Sequence, residues 1–136
     1  MATIWVHGNA GFSNEDPNWI IQRTTSGANI VAKAVGTGTF YVPFQINYTV
    51  SPSTPFSFWL DATTPNDKRV LVNAVAVLIG DKYVGGQNFG ASGVPWTGPG
   101  KGSATITVPA GGVLVIGVTF TATAKGATFR LLAVGI

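Results

Sequence analysis

Few residues in this sequence have side chains that could perform acid, base, nucleophilic or metal chemistry. His7 is the single histidine, cysteine is absent, and only five carboxylates occur in 136 residues. A lone histidine cannot form the usual multi-histidine zinc site, and a chain without thiols has neither disulfides nor sulfur-ligated metals. We therefore interpret His7 as a strand-end residue that is hydrogen-bonded to a neighbouring loop. The carboxylates are Glu15, Asp16, Asp61, Asp67 and Asp81.

Motifs of common enzymes are also missing. A serine hydrolase of the strand-turn-helix type needs a Gly-x-Ser-x-Gly elbow, which this sequence lacks. Glycoside cleavage needs two acids that face each other across a cleft, whereas most acids here stand at turn positions. The sequence thus predicts a protein that is not an enzyme and that uses no cofactor and no metal.

A glycine-rich stretch, GGQNFGASGVPWTGPGKGS at 85–103, contains Phe89 and Trp96 among seven glycines. Its spacing departs from that of a phosphate loop, and a strand follows it where a phosphate loop needs a helix. We predict a long ordered loop, anchored by its two aromatic side chains to its own domain or to a neighbouring subunit. An acidic stretch, NEDPN at 14–18, lacks the ligand spacing of a helical calcium loop and is predicted to be a solvated turn.

Aromatic residues carry the main functional signal. Eight of them fall in predicted loops, at strand ends or on the polar side of a strand: Trp5, Trp19, Trp59, Trp96, Phe12, Phe89, Tyr41 and Tyr83. Such a side chain caps a sandwich, anchors a subunit contact, or offers a flat face to a sugar ring. The sequence leaves these three roles open. The predicted interface or ligand contacts, which lie in or near the long loop, are Trp96, Phe89, Asn88, Gln87 and Asp81.

The elements that must position these residues are β-strands. Short segments rich in Val, Ile, Thr, Phe and Tyr alternate with clusters of Gly, Pro, Ser and Asn, and helix signals are nearly absent. In TFYVPFQINYTV the apolar positions alternate with polar ones, and Pro43 places this segment at a sheet edge or at a break. In VLVNAVAVLI both faces are apolar, which predicts a central strand covered on each side or a strand whose outer face meets another subunit. The predicted strands are 2–7, 18–24, 28–35, 39–50, 56–61, 69–79, 82–84, 103–108, 113–122 and 127–135.

Nine or ten short strands without crossover helices predict one all-β domain over residues 1–136, an antiparallel β-sandwich of the jelly-roll type, with a closed barrel as the alternative. Turns at Pro109–Gly112 and Ala124–Gly126 are predicted to join the last three strands as hairpins. Whether 39–50 is one strand or two stays open.

The composition narrows the possible partners. Only 10% of the residues are charged, against about 25% in typical soluble domains. Such a surface is covered by uncharged polar groups, or is partly hidden against other copies or a ligand. The eight basic residues are scattered, which argues against a nucleic acid partner, and no segment is long and apolar enough to span a membrane. The N-terminal segment lacks the pattern of a secretory signal, and the compartment is not assigned.

The C-terminal half carries a family resemblance. After the turn Val108-Pro109-Ala110-Gly111-Gly112, the segments GGVLVIGVTF and ATFRLLAVGI resemble small bacterial jelly-roll or β-sandwich domains of unknown function, and TIWVHG is similar to their Trp-containing first strand. The resemblance implies the fold and transfers no site residues.

Two functional hypotheses follow. The first is a structural protein whose β-sandwich protomers self-assemble into an oligomer, shell or filament, with Val42–Val50 or the N-terminal strand as the pairing edge. The second is a lectin-like module that binds glycan on an aromatic platform. Multivalent glycan binding would also require a homo-oligomer, so the two hypotheses overlap.

Overall fold

The computed structural model describes residues 4–13, 18–64 and 69–136. This part of the chain holds ten strands and one turn of 3-10 helix over Gly8–Ala10. The strands are β1 (Trp5–His7), β2 (Trp19–Arg23), β3 (Ala28–Ala32), β4 (Gly36–Val50), β5 (Phe56–Thr63), β6 (Val70–Ile79), β7 (Lys82–Asn88), β8 (Thr97–Ile106), β9 (Ala110–Ala122) and β10 (Thr128–Gly135).

Two antiparallel sheets form the predicted sandwich. The first sheet has the order β2-β3-β10-β5-β8, with β1 also paired to β10, and the second has the order β7-β6-β9-β4. Four strands of each sheet, β3-β10-β5-β8 and β4-β9-β6-β7, follow the two interleaved Greek keys of a jelly roll. Short pairings join the sheets at one corner, where the end of β8 pairs with β7, so the sandwich is nearly closed like a barrel. The predicted fold class is confirmed.

The core lies between the sheets and is built by the alternation that the sequence predicts. In β4 the side chains of Phe40, Val42 and Phe44 are buried, whereas the intervening residues face outward. Phe120 of β9 and Phe129 of β10 stack across the interior with ring centroids 5.0 Å apart. The apolar inner faces of both sheets therefore form one continuous core.

Strand β4 accommodates Pro43 at the edge of a sheet. β4 is the outermost strand of the second sheet and pairs there only with β9, so the missing N–H of Pro43 interrupts no central ladder. Its register with β9 shifts between Pro43 and Asn47, where Gln45 has a φ of 44°. Between these positions β4 has three residues opposite a single residue of β9, so the insertion of two residues preserves the inward and outward phase. Residues 39–50 thus belong to one strand with an irregularity.

The predicted long loop at 85–103 is wrong in extent. Residues 85–88 belong to β7 and 97–103 to β8, which leaves a loop of residues 89–96. The glycines misled the prediction because several of them lie inside strands, where a neighbour leaves no room for a side chain. A Cβ on Gly85 would collide with the carbonyl oxygen of Thr105, and one on Gly102 would collide with the ring of Phe58.

The predicted hairpins at the last two turns are also wrong. The segment before Ala110 joins β8 to β9, and the Ala124–Gly126 turn joins β9 to β10. However, β9 is a neighbour of neither β8 nor β10 in the strand order. In both cases the chain crosses from one sheet to the other. Strand β10 pairs instead with β3 and β5. It lies in the first sheet and faces β9 across the core, where Phe129 stacks on Phe120.

In the described part of the chain, no helix is long and apolar enough to cross a membrane.

Candidate functional site

The four tryptophans differ in their burial and in their position in the sandwich. Trp19 is 9% exposed and meets the ring of Phe120 edge-on, and Trp96 packs against the core. Trp5 is 45% exposed, and Trp59 lies on the outer face of the first sheet with part of its ring open to solvent. Trp96 and Trp59 are both half-buried, but Trp96 packs against the core, whereas Trp59 stands on an outer sheet face together with the exposed Trp5.

Trp96 anchors the 89–96 loop to its own sandwich. Its indole N–H donates to the Leu60 carbonyl at 2.8 Å, and its backbone N–H donates to the Thr64 hydroxyl at 2.6 Å. Phe89 meets the Trp96 ring edge-on, with centroids 5.7 Å apart. These contacts give both aromatic side chains a packing role inside one chain.

The other predicted contact residues fall into two places. Gln87 and Asn88 lie beside Phe89, but the oxygens of their side-chain amides already accept hydrogen bonds. Gln87 Oε1 accepts from the backbone N–H of Ser103 at 2.9 Å, and Asn88 Oδ1 accepts from that of Gly90 at 2.8 Å. Asp81 stands in the tight turn between β6 and β7, at the opposite end of β7 and roughly 20 Å away. The structure thus brings Trp96, Phe89, Asn88 and Gln87 together and leaves Asp81 apart, and a ligand or interface role for them stays a prediction.

Strand pairing aligns Trp5 and Trp59 in one row across the first sheet. Trp5 is opposite Gly135 of β10, and Gly135 is opposite Trp59 of β5 on its other side. Directly paired residues share a face, so both indoles project from the outer face with Gly135 between them. Their strands are two inter-strand spacings apart, about 10 Å. We call Trp5, Gly135 and Trp59 the indole platform.

Lys101 of β8 extends this row. It pairs with Trp59, and its ammonium nitrogen lies 5.4 Å from the centroid of the Trp59 ring. A cation over an indole face is attracted by about 0.5–1 kcal/mol at an exposed site. The Lys101 side chain is therefore held at the end of the platform.

The adjacent row on the same face contributes two polar side chains, those of His7 and Asp61. His7, Ala133, Asp61 and Pro99 are aligned by the same strands, each two residues along the strand from a member of the platform row. In the described part of the chain, the Asp61 carboxylate makes no hydrogen bond or ion pair. It is half-buried, and its oxygens can accept hydrogen bonds from a ligand on the platform.

Both nitrogens of His7 are engaged in the local structure. Its Nδ1 accepts from the backbone N–H of Asn9 at 3.1 Å, and its Nε2 lies 2.8 Å from the carbonyl oxygen of Thr25. Since an N–H only donates and a carbonyl only accepts, these partners fix the neutral tautomer with hydrogen on Nε2. His7 is held as the sequence predicts, and neither nitrogen is available to remove a proton from a ligand.

The described residues also contain a shallow pocket of about 90 Å³ at one end of the sandwich. Ligand pockets usually measure about 300–1,000 Å³, so this one has room for a few water molecules. The rings of Tyr48 and Phe56 meet edge-on within its wall, with centroids 5.7 Å apart. Its lining residues are Tyr48, Thr49, Val50, Ser51, Thr54, Pro55, Phe56 and Ile106.

No group of three or more His, Asp or Glu residues that could hold a metal occurs in the described ranges. Three of the five carboxylates, Glu15, Asp16 and Asp67, lie outside those ranges, as does most of the NEDPN stretch. Lys68, which adjoins Arg69 in the sequence, lies outside them as well.

The sequence contains one local signal for the platform. Trp5-Val6-His7 and Trp59-Leu60-Asp61 both place an aromatic and a polar residue two positions apart, so that the two side chains share the outer face of a strand. What the sequence does not disclose is that these two strands flank β10. Without that pairing the tryptophans are two separate surface residues.

Comparisons with known proteins give weak structural similarity only. No family model matches the sequence, and no curated protein matches it significantly. One similar solved structure is a native family 35 carbohydrate binding module from Clostridium thermocellum, with a TM-score of 0.42 and 16% identity, covering 96% of this chain and 95% of that one. Another is the carbohydrate binding module CBM6cm-2 from Cellvibrio mixtus lichenase 5A in complex with cellotriose, with a TM-score of 0.43 and 11% identity, covering 100% of this chain and 98% of that one. At this level the expected resemblance to small bacterial β-sandwich domains is confirmed, and no family is assigned.

Proposed function

We propose that this chain is a non-catalytic carbohydrate-binding module that stacks sugar rings on the indole platform. The observation that carries the proposal is the alignment of Trp5 and Trp59 on either side of Gly135, on an outer sheet face. Gly135 is buried, and it adds no side chain between the two indoles. A ligand that contacts both indoles therefore meets no other side chain between them.

The spacing of the platform suits a chain of sugars better than a single sugar. The two indoles are about 10 Å apart at the backbone, which is on the order of two pyranose rings. Each indole presents apolar surface to the C–H groups of a ring, and a nearby carboxylate and ammonium group can accept and donate the hydrogen bonds that a sugar's hydroxyls need. Asp61 and Lys101 stand beside Trp59 in positions to fulfil that role.

The residues around the platform favour binding over cleavage. Hydrolysis of a glycosidic bond needs a pair of carboxylates about 5–10 Å apart across the bond. Among the described residues the platform has Asp61 alone, because Asp81 belongs to a turn of the second sheet. His7 is committed to Asn9 and Thr25, so it supplies no base.

Self-assembly into an oligomer, shell or filament is a separate proposal, since it requires a surface other than the platform. The same holds for a ligand role of the Trp96 and Phe89 cluster, whose polar neighbours are already hydrogen-bonded within the chain. The platform is favoured because Trp5 is exposed, Trp59 is partly exposed, and the Asp61 carboxylate has no partner among the described residues.

Binding to polysaccharides tests the proposal. The wild-type chain is mixed with insoluble cellulose and chitin in pull-downs, and with soluble xylan, mannan and mixed-linkage β-glucan in affinity electrophoresis and calorimetry. We expect at least one of these to bind, and we expect Trp5→Ala and Trp59→Ala each to weaken the affinity roughly tenfold or more through loss of a stacking face.

The matched control is Ile20→Ala. Ile20 is also 45% exposed and lies on the outer face of the same sheet, near its far edge. Its loss should leave the affinity unchanged. Failure of every polysaccharide to bind, or binding that survives loss of both tryptophans, would refute the platform. Release of reducing sugar from a bound polysaccharide would refute the non-catalytic assignment.

A further inference from the structure

The outer face of the second sheet is a different surface, and the indole platform does not use it. Strand β6 is apolar on both sides: Val70, Val72 and Val75 lie in the core, whereas Leu71 and Leu78 lie half-buried on the outer face. The strand is central, between β7 and β9, so its outer side chains stand in the middle of this face. A central strand whose apolar outer side chains face solvent in the isolated chain indicates a surface that a binding partner covers.

Strand register defines the rest of this face. One row across the sheet contains Tyr41, Gly117, Ala76 and Gly86, and the next contains Pro43, Val115, Leu78 and Tyr83. On the other side of the first row lie Thr39, Thr119 and Ala74, followed by Thr37, Thr121 and Leu71. These rows, with Val113 and Asn47 at one end, contain no Lys, Arg, Asp or Glu. We call them the uncharged face.

The central row of the uncharged face has glycine at two positions, and aromatic rings lie on both sides of the face. A Cβ on Gly117 would lie 3.1 Å from two ring carbons of Tyr41, and one on Gly86 would lie 3.1 Å from the Tyr83 hydroxyl. Both tyrosine side chains therefore lean over the glycines of the central row. Phe12 extends the Tyr41 side, because its ring stacks on that of Tyr41 with centroids 5.6 Å apart.

The threonine side chains of this face are paired with one another or with Asn73. The hydroxyls of Thr39 and Thr119 are 3.0 Å apart, and the Thr121 hydroxyl donates to Asn73 at 2.6 Å. A nucleic acid or a charged peptide would find no opposite charge here, and a sugar would find the threonine hydroxyls already paired. A second surface of the same apolar and uncharged kind is a better match.

We infer that the uncharged face binds the uncharged face of a second copy of this chain, in a twofold symmetric dimer. The four strands and their side chains cover about 19 Å across the sheet and about 33 Å along β4, which gives roughly 600 Å² on each copy. The total of about 1,200 Å² is at the lower limit of stable interfaces, so we expect a reversible dimer with a dissociation constant of about 1–100 μM. In a twofold dimer each face meets itself, so one kind of patch suffices.

The test is the oligomeric state of the full chain and of two lysine variants. Val113→Lys places a charge on the uncharged face, and Ile20→Lys places the same charge on the outer face of the first sheet. Both parent residues are 45% exposed and stand in strands, so the two substitutions are matched in exposure and chemistry. Sedimentation velocity is measured from about 1 μM to 1 mM, a range that brackets the expected dissociation constant.

We expect the wild-type chain and Ile20→Lys to show the same monomer–dimer equilibrium. Because twofold symmetry introduces two lysines into one interface, Val113→Lys should raise the dissociation constant roughly 100-fold or abolish the dimer. Tyr83→Lys, at the opposite side of the face, should weaken the dimer in the same direction. Circular dichroism and thermal unfolding of each variant establish that it is folded.

Three outcomes would overturn the inference. One is a wild-type chain that stays monomeric at the highest concentration. A second is a dimer that Val113→Lys and Tyr83→Lys leave unchanged while Ile20→Lys breaks it. A third is an open series of larger assemblies, which a closed twofold interface does not produce.

Discussion

Replacement of Thr64 by valine should destabilise the fold while leaving the platform intact. Thr64 is 2% exposed, and its hydroxyl accepts a hydrogen bond from the backbone N–H of Trp96 at 2.6 Å. Valine has nearly the same shape but cannot accept a hydrogen bond. Thr64→Val therefore leaves the Trp96 N–H without its acceptor in the interior.

The size of the effect follows from what is lost and what is kept. The Trp96 carbonyl still accepts from the Thr64 backbone N–H at 2.8 Å, so a single donor becomes unsatisfied. An unsatisfied buried donor costs about 1–3 kcal/mol in the free energy of unfolding. For a chain of this length, a loss of about 2 kcal/mol lowers the midpoint of thermal unfolding by roughly 6 °C.

Thr107→Val is a control for the hydrogen bonds to a carbonyl, at an exposed position. Thr107 contacts the Val84 carbonyl through its N–H at 2.8 Å and its hydroxyl at 3.2 Å, and Thr64 contacts the Trp96 carbonyl through its N–H at 2.8 Å and its hydroxyl at 3.1 Å. Only Thr64 additionally accepts from an N–H. We expect Thr107→Val to change stability by about 0.5 kcal/mol or less, because no donor is orphaned.

The assay is urea unfolding followed by tryptophan fluorescence, with the midpoint and slope compared among wild type, Thr64→Val and Thr107→Val. Polysaccharide binding is measured on the same samples below the unfolding transition. Equal stability of the two variants would refute the role assigned to the Trp96 N–H. Loss of polysaccharide binding in folded Thr64→Val would indicate that the Trp96 loop, rather than the indole platform, contacts the ligand.

Two glycine substitutions give further predictions. Gly102→Ala should lower the free energy of unfolding by about 1–3 kcal/mol in urea unfolding, because the new methyl group would collide with Phe58 and approach Gln87 Oε1 to 2.5 Å. Gly36→Ala, where nothing lies within 4 Å, is the control and should be neutral or slightly stabilising; equal loss in both would contradict the packing argument. Gly80→Ala should cost about 1–2 kcal/mol because Gly80 has a φ of 63° in the β6–β7 turn, and unchanged thermal stability would contradict this conformation.

The strands and the core could be predicted from the sequence because they depend on local patterns. Each of the ten described strands overlaps a predicted segment, and Phe40, Val42 and Phe44 are buried as the alternation in β4 requires. The prediction was wrong where glycine was taken as a loop signal. Inside β7 and β8, glycine instead marks places where a neighbouring backbone or ring excludes a side chain.

The platform could not be predicted because it depends on pairing between distant strands. Trp5, Trp59 and Gly135 are far apart in sequence, and they meet only because β10 accepts β1 and β5 on its two sides. The incorrect hairpin predictions for the last three strands would have placed β10 beside β9 and hidden this arrangement. Trp96 and Phe89 are predicted contact residues because they lie close together in sequence, yet the structure gives them a packing role.

The low charge of the chain acquires a physical explanation from the two outer faces. On the first sheet, Lys101, Asp61 and Arg130 stand among exposed side chains, whereas the uncharged face of the second sheet has no ionised group. In the proposed dimer the uncharged faces are buried against each other, so the two indole platforms lie on opposite outer surfaces. A polysaccharide presents many equivalent sites, and a dimer with two outward platforms holds such a polymer more tightly than either platform holds one segment of it. If both proposals hold, the surface that lacks charge and the surface that carries the tryptophans serve the same function from opposite sides of the sandwich.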